Sequence, residues 1–341
     1  MTDNPEQLPF SRPADQCLVD NHGRRITYLR LAVTDRCNLR CIYCMPEAGI
    51  PFLDRAELLS FEEMERLVRL LVGVGITKVR ITGGEPFVRH GVMDFLGRLA
   101  AINGLQTIAL TTNGIATGPH LARLKELGVA GLNVSLDTLR PERYLAMTRR
   151  DGFAAVQQTI RQALELAIPL KINVVIQEGY NTDEIAGLAA LARSQPLEVR
   201  FIEQMPFNGQ CSVPGEVWRA DRILAELREA YPGLLEVKGV QGTARLYTAP
   251  GFAGRVGIIG AYSRSFCGAC GKLRVTPQGM LKTCLYDSGV LDLKQLLRTG
   301  AADADILGAL REAVARRTVN GHEAERLNRR ETRGSMASIG G

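Results

Sequence analysis

Strand-like and helix-like runs take turns along this chain for about two hundred residues, and that alternation restricts its possible architectures more than any other feature. The strand-like runs are YLRLAVT (28–34), KVRITGG (78–84), QTIALTTNG (106–114), GLNVSLD (131–137), LKINVVI (170–176) and LEVRFIEQM (197–205). Amphipathic helical sequence follows each one. The first helix opens on Ser60-Phe61-Glu62-Glu63, a capping box in which the Ser60 hydroxyl would accept from the Glu63 amide and the Glu63 carboxylate from the Ser60 amide. A later helix, ADRILAELREAY, follows the last strand. Strands joined by crossover helices make a parallel sheet, either doubly wound or curled into a barrel, with right-handed connections.

The unusual residues choose between the two. Cys37, GGEP (83–86), TTNG (111–114), SLD (135–137) and EQM (203–205) all fall at or just past strand C-terminal ends. That is where a barrel builds its site, and five consecutive units feeding one face suit a barrel better than a single switch-point crevice. Six units leave such a barrel open on one side. From about Arg245 the alternation gives way to short, glycine-punctuated strands (LYTAPGFAGRVGIIGAYS), a second group of cysteines and a mostly helical tail. The expectation is therefore α/β: an incomplete (β/α)6 TIM-like barrel over 1–244 and a C-terminal α+β domain over 245–341. The second domain would close the open side and bring Cys267, Cys270 and Cys284 near the strand ends.

Composition matters here for redox setting and ligand charge. The start of the chain, MTDNPEQLPFSRPADQ, has no apolar signal core, and no eighteen-residue apolar run follows it, so the expectation is a soluble cytoplasmic protein with no membrane partner. Eight cysteines there stay reduced, and clustered thiols then point to metal binding or catalysis rather than to disulfides. A net charge of +6 suits an anionic ligand. It does not imply nucleic acid: no basic run carries interleaved aromatics, and the arginines of the tail alternate with acids at helical spacing.

The stretch TDRCNLRCIYCMP (34–46) places thiols at Cys37, Cys41 and Cys44 with no fourth nearby. A redox pair needs only two, and a structural zinc needs a fourth ligand that the neighbouring residues do not supply. Thiolates suit iron-sulfur clusters, and three of them leave one iron of a cubane open to another ligand. Cys267-Gly268-Ala269-Cys270, thirteen residues and then Cys284 repeat the pattern. Two readings stay open for this second group, a zinc knuckle completed by a distant residue and a second cubane.

With Tyr43 just before its last cysteine, the loop resembles the signature of the radical S-adenosylmethionine (SAM) enzymes, and GGEP at the next strand end supports it. The resemblance implies that SAM chelates the open iron of a 4Fe-4S cluster and is cleaved reductively to a 5'-deoxyadenosyl radical. It also implies that the GGEP backbone and Glu85 meet the SAM amino group, glycine allowing the close approach. Over nearly the whole chain, YLRLAVTDRCNLRCIYCMP, RITGGEPFVR, TTNG, SLD, KINVV, RFIEQMPFNG, the later CxxC and Gly340-Gly341 resemble the molybdenum-cofactor GTP 3',8-cyclase family. That implies conversion of GTP to 3',8-cyclo-7,8-dihydro-GTP by abstraction of the ribose 3' hydrogen, a reductant for two 4Fe-4S clusters, and a downstream cyclic pyranopterin phosphate synthase. A homodimer is compatible with it.

Carried over by motif, Cys37, Cys41 and Cys44 hold the SAM cluster, and Tyr43, Gly84, Glu85, Ser135 and Met205 line the SAM pocket. Cys267, Cys270 and Cys284 hold the second cluster, whose open iron meets guanine. Arg30, Arg80, Thr111, Lys171, Lys272 and Arg274 contact triphosphate and ribose, a role that suits guanidinium and ammonium groups. Arg274 and the backbone of Gly340 and Gly341 reach the reacting centre. One departure stands out: the family reads Asn-Arg-Leu-Arg after the second CxxC, whereas here it is Gly271-Lys272-Leu273-Arg274. Cys17 and Cys211 match no motif. The alternative, a radical SAM peptide-maturation enzyme, shares the barrel but usually carries more C-terminal cysteines than the three that follow Cys211.

Overall fold

A computed structural model describes residues 17–205, 207, 216–239, 242–328 and 335–340. The six expected strands are present: β1 (Tyr28–Ala32), β2 (Lys78–Thr82), β3 (Thr107–Thr112), β4 (Leu132–Ser135), β5 (Leu170–Ile176) and β6 (Glu198–Glu203). They pair in sequence order and in parallel. Five of the six stop two residues short of the expected ends, because the chain there turns into the loops that carry the motifs. The connecting helices are α1 (Phe61–Gly73), α2 (Val92–Ala100), α3 (Leu121–Glu126), α4 (Pro141–Thr148), α5 (Phe153–Glu165) and α6 (Ile185–Ser194), with α7 (Ala220–Ala230) after β6.

Period-two alternation gives each strand two faces. Leu29 and Leu31 of β1 and Val79 and Ile81 of β2 are fully buried with Met64, Leu67, Val68 and Leu71 of α1 in the outer apolar layer. The intervening positions Tyr28, Arg30, Lys78, Arg80, Asn133, Lys171 and Asn173 make a polar lumen. Helix α1 begins where the capping box requires: Ser60 Oγ accepts from the Glu63 amide at 3.1 Å, and Glu63 Oε2 accepts from the Ser60 amide at 2.6 Å.

The C-terminal segment does more than lie over an open side. Its strands β8 (Arg245–Thr248), β9 (Arg255–Ile259), β10 (Lys272–Val275), β11 (Met280–Lys282) and β12 (Leu291–Asp292), with β7 (Leu235–Glu236) just before the segment, extend the sheet at both edges, in the order β12-β11-β10-β1-β2-β3-β4-β5-β6-β9-β8-β7. Strand β9 adds in parallel to β6, and β10 in parallel to β1. The reason is the edge: β1 and β6 would otherwise present rows of unpaired amides and carbonyls. The result is a partial TIM-like barrel with eight parallel strands, finished by antiparallel hairpins. Helices α8 (Leu293–Arg298), α9 (Asp303–Ala315), α10 (Gly321–Leu327) and α11 (Met336–Ile339) complete the described chain. Among the described residues, no helix is long and apolar enough to cross a membrane.

Candidate active site

The loop after β1 carries the first three thiols and is hooked onto the end of α4, where the Arg40 and Ile42 amides donate to the carbonyls of Thr148 and Met147, each at 2.9 Å. Tyr43 donates to Asp137 Oδ2 at 2.8 Å, and the other Asp137 oxygen accepts from the Val175 amide at 2.8 Å. Burial pushes the Asp137 carboxyl up to about 6. Cys37 Sγ accepts from the Leu39 amide at 3.4 Å and from Asn113 Nδ2 at 3.7 Å. Burial and then the neighbouring thiols push Cys41 well up, and Cys44 reaches about 12. The GGEP stretch is clamped against this loop: the Gly84 amide donates to Thr34 O at 2.7 Å and the Glu85 amide to Arg36 O at 2.9 Å. A Cβ on Gly84 would stand 2.3 Å from Arg36 O, so only glycine fits.

The second three thiols lie across the cavity. Cys267 opens a short turn before β10, and the backbone at Cys284 is pinned by Asp287, whose Oδ2 accepts from the amides of Thr283 and Cys284, each at 2.8 Å. At Gly271 an added Cβ would stand 2.4 Å from Arg25 O, so any other residue here needs the segment before β1 to shift. All described cysteines are free thiols. No three His, Cys, Asp or Glu side chains among the described residues stand close enough to share one metal ion. Each place offers three thiols within reach of one another's charge, a donor set that fits an iron-sulfur cluster, with the neighbouring carboxylates Asp137 and Asp287 already bonded to Tyr43 and to backbone amides.

Both groups open onto one cavity of about 310 Å³, whose wall also includes Tyr43, Gly84, Ser135, Met205, Arg30, Thr111, Lys272 and Arg274. Four expected residues stand behind that wall. Glu85 is fully buried, and its carboxylate already accepts from Thr112 Oγ1 at 2.8 Å and from the Asn113 amide at 2.6 Å, so it braces the next loop; burial pushes it up to about 7. Arg80 donates to Tyr28 Oη at 2.7 Å and to Leu110 O at 2.6 Å. Lys171 pairs with Glu198 at 3.3 Å. Gly340 packs on β1 and β2, and its carbonyl accepts from Arg274 Nη1 at 3.1 Å. Gly341, Cys211 and the first sixteen residues lie outside the described residues, and Cys17 is half-buried beside Gly75, away from the cavity wall.

Comparison with known proteins gives the arrangement its relatives. The Radical SAM superfamily pattern matches residues 31–192, and that of Molybdenum Cofactor Synthesis C matches residues 197–323. GTP 3',8-cyclase of Heliobacterium modesticaldum is 43% identical over 309 residues, covering 89% of this chain and 94% of that protein. The chain belongs to the GTP 3',8-cyclase family. Another member, from Pelotomaculum thermopropionicum, is 43% identical over 330 residues, 94% of this chain and 99% of that one. Molybdenum cofactor biosynthesis protein 1 of Homo sapiens is 41% identical over 307 residues, 89% of this chain but 48% of that protein, so the chain spans about half the length of its mammalian relatives. Streptococcus suis SuiB, solved with S-adenosylmethionine, superposes with a TM-score of 0.60 at 14% identity over 85% of this chain and 69% of that one, a likeness of fold. The C-terminal match favours the cyclase family over the peptide-maturation alternative.

Against that family background, the lumen holds residues that the motif reading passed over. Tyr28, Lys78, Asn133, Asn173 and Arg200 occupy the polar positions of β1, β2, β4, β5 and β6. Thr111 Oγ1, Asn133 Oδ1 and Asn173 Oδ1 are buried without a hydrogen-bond partner among the described residues, as in a site that completes its bonds with a polar ligand. Their signal was the alternation itself, since KVRIT and LKINVV place polar residues at every second position of buried strands. Burial would raise the Tyr28 phenol, but the charges of Arg30, Arg80 and Lys272 overcome it and bring it down to about 7. Burial, with Arg30 and Arg274 nearby, brings Lys272 down to about 8.

Proposed function

We propose that this chain is a radical SAM GTP 3',8-cyclase that converts GTP to 3',8-cyclo-7,8-dihydro-GTP, the first step of molybdenum-cofactor biosynthesis. The observation that carries this reading is that two three-thiol groups face each other across one cavity with Arg30, Lys272 and Arg274 on its wall. Cys37, Cys41 and Cys44 would hold the first 4Fe-4S cluster, and Tyr43, Gly84, Ser135 and Met205 would border SAM. Cys267, Cys270 and Cys284 would hold a second cluster on the guanine side, on a C-terminal unit spanning 245–341 beside a barrel unit spanning 1–244. When bound, the first cluster and SAM supply hydrogen-atom abstraction.

The chain's own residues bind, orient and exclude. Arg30, Arg274 and Lys272 offer the charge-assisted donors that a triphosphate needs, with Arg80, Lys171 and Thr111 behind or beside them. Water must be kept from a radical; the buried apolar layer on the outer face of the sheet and the Gly340 turn packed on β1 and β2 leave no gap among the described residues through that side of the barrel wall. Once the 3' hydrogen atom has passed to 5'-deoxyadenosine, one electron from the reductant and one proton from solvent restore the composition of GTP in the product; no base is needed, and no His or Asp is assigned one. A reductant, a cytoplasmic setting and a downstream cyclic pyranopterin phosphate synthase belong to the same reading.

The test is anaerobic incubation with SAM, a reductant and GTP deuterated at ribose C3', followed by chromatography with mass analysis. The expected result is an isomer of GTP together with 5'-deoxyadenosine that has gained the deuterium. SAM cleavage with no deuterium transferred would overturn the reading.

A further inference from the structure

Beside the second cysteine group lies a charge cluster to which no role has been given, with Arg24 and Arg317 on the cavity wall and Asp20 buried behind them. Arg317, just past α9 and 4% exposed, donates from Nη1 to Cys270 O at 2.7 Å and from Nη2 to Cys270 Sγ at 3.3 Å. Asp20 Oδ2 stands 3.4 Å from Nη1 and takes Arg24 Nε at 2.6 Å. Arg24 in turn donates to Cys267 O at 3.1 Å and to the carbonyls of Val319 and Thr318, each at 2.8 Å. One carboxylate and two guanidiniums thus tie the segment before β1, the Cys267–Cys270 turn and the segment after α9 into one unit.

We infer that Arg317, oriented by Asp20, is a positioning residue that sets the reduction potential of the cluster held by Cys267, Cys270 and Cys284. The inference rests on the proposed second cluster. A buried cation is weakly screened, and a charge-assisted donor to a ligand sulfur stabilises the more negative, reduced state. Among the described residues no guanidinium donates to Cys37: its Sγ takes the neutral donors of the Leu39 amide and Asn113, and Arg40 acts on it through charge alone. The geometry therefore separates the two sites in potential, with the second the more easily reduced. With Lys272 beside Cys270 and Asp287 beside Cys284 also counted, three cations stand against two carboxylates, and removing Arg317 takes one positive charge from the set.

The experiment uses the full chain with Cys37, Cys41 and Cys44 changed to Ser, reconstituted with iron and sulfide under anaerobic conditions, so that bound iron reports the second group alone. Iron content and a redox titration followed by electron paramagnetic resonance are the readouts. Arg317→Met is expected to keep its iron and lower the ratio of reduced to oxidised cluster at least about tenfold at fixed potential, a midpoint shift of about 59 mV. Arg317→Lys should recover at least half of that shift, and Asp20→Asn, which removes the compensating negative charge, should move the midpoint upward. A purely structural role would change iron content without moving the midpoint in opposite directions. If the background protein binds no iron, the second cluster fails and the inference with it. If iron is bound and Arg317→Met titrates like its parent, the inference alone is overturned. Should Arg317→Met lose its iron, equal midpoints in Arg317→Lys, Asp20→Asn and the parent would overturn it.

Discussion

Tyr28 shows how much one lumen residue can report. Its hydroxyl accepts from Arg80 Nε at 2.7 Å, and the ammonium groups of Lys78 and Lys272 sit 5.1 Å and 5.9 Å from its ring centroid. Burial opposes ionisation, yet Arg30, Arg80 and Lys272 hold the phenol near 7 against an ordinary value of 10. A group whose folded value is depressed adds stability that is fully present above the unfolded value and is lost as pH falls through the folded one. The contribution of Tyr28 should therefore grow between about pH 7 and 10. One tyrosinate absorbance change should appear with a midpoint near 7 in the parent and vanish in Tyr28→Phe. Bound GTP should move that midpoint upward, because triphosphate oxygens take over the field of the same cations; a midpoint indifferent to GTP would separate the cation cluster from triphosphate binding. At this scale the sequence was half legible. It marked Arg30, Lys272 and Arg274 through the motifs, but gave no role to Tyr28 and Arg200, although each opens a quoted motif, because only their inward facing in the folded sheet sets them beside the other lumen cations.

Single elements carry two further expectations. The capping box at the start of α1 satisfies two amides that would otherwise lack partners, and replacing such a cap by alanine costs about 1 kcal/mol. Ser60→Ala should lower the unfolding free energy by about that amount, seen as a lower urea midpoint at unchanged m-value, and leave iron content unchanged, since α1 packs on the outer face of the sheet. The turn after α11 is the second case. Gly340 has φ +86°, and a Cβ there would stand 2.6 Å from Ala32 Cβ and 2.8 Å from Thr82 Oγ1. Gly340→Ala should push the turn off β1 and β2 and deprive Arg274 of its carbonyl acceptor. Cyclised product per SAM cleaved should then fall at least about tenfold, or roughly 1.4 kcal/mol of transition-state stabilisation, with iron content and SAM binding retained. Product yield equal to the parent's would leave that turn a terminus without function. Terminal glycines alone do not tell a seated tail from a frayed one; the contact with β1 and β2 does.

For the molecule as a whole, the telling quantity is iron. Two cubane clusters give about eight irons per chain after anaerobic reconstitution. Cys37→Ser should lose SAM cleavage and keep about four irons, whereas Cys284→Ser should keep SAM cleavage and lose GTP cyclisation. Stable zinc in place of the second set of iron would return that site to the zinc-knuckle alternative. Short-range periodicity was enough to reveal six alternating units, the face on which their motifs collect and the capping box of α1, because burial of one side of a strand or helix imprints a period of two or 3.6 on neighbouring residues. It could not reveal that β9 and β10 continue the sheet in parallel at both its edges, because the choice of partner depends on unpaired edge backbone meeting strands that come much later in the chain. Nor could it join Asp20 to Arg317, 297 residues apart. Charged residues at such separations carry no local pattern, and only the folded sheet, by setting β1 beside β10, brings them to the same cysteine.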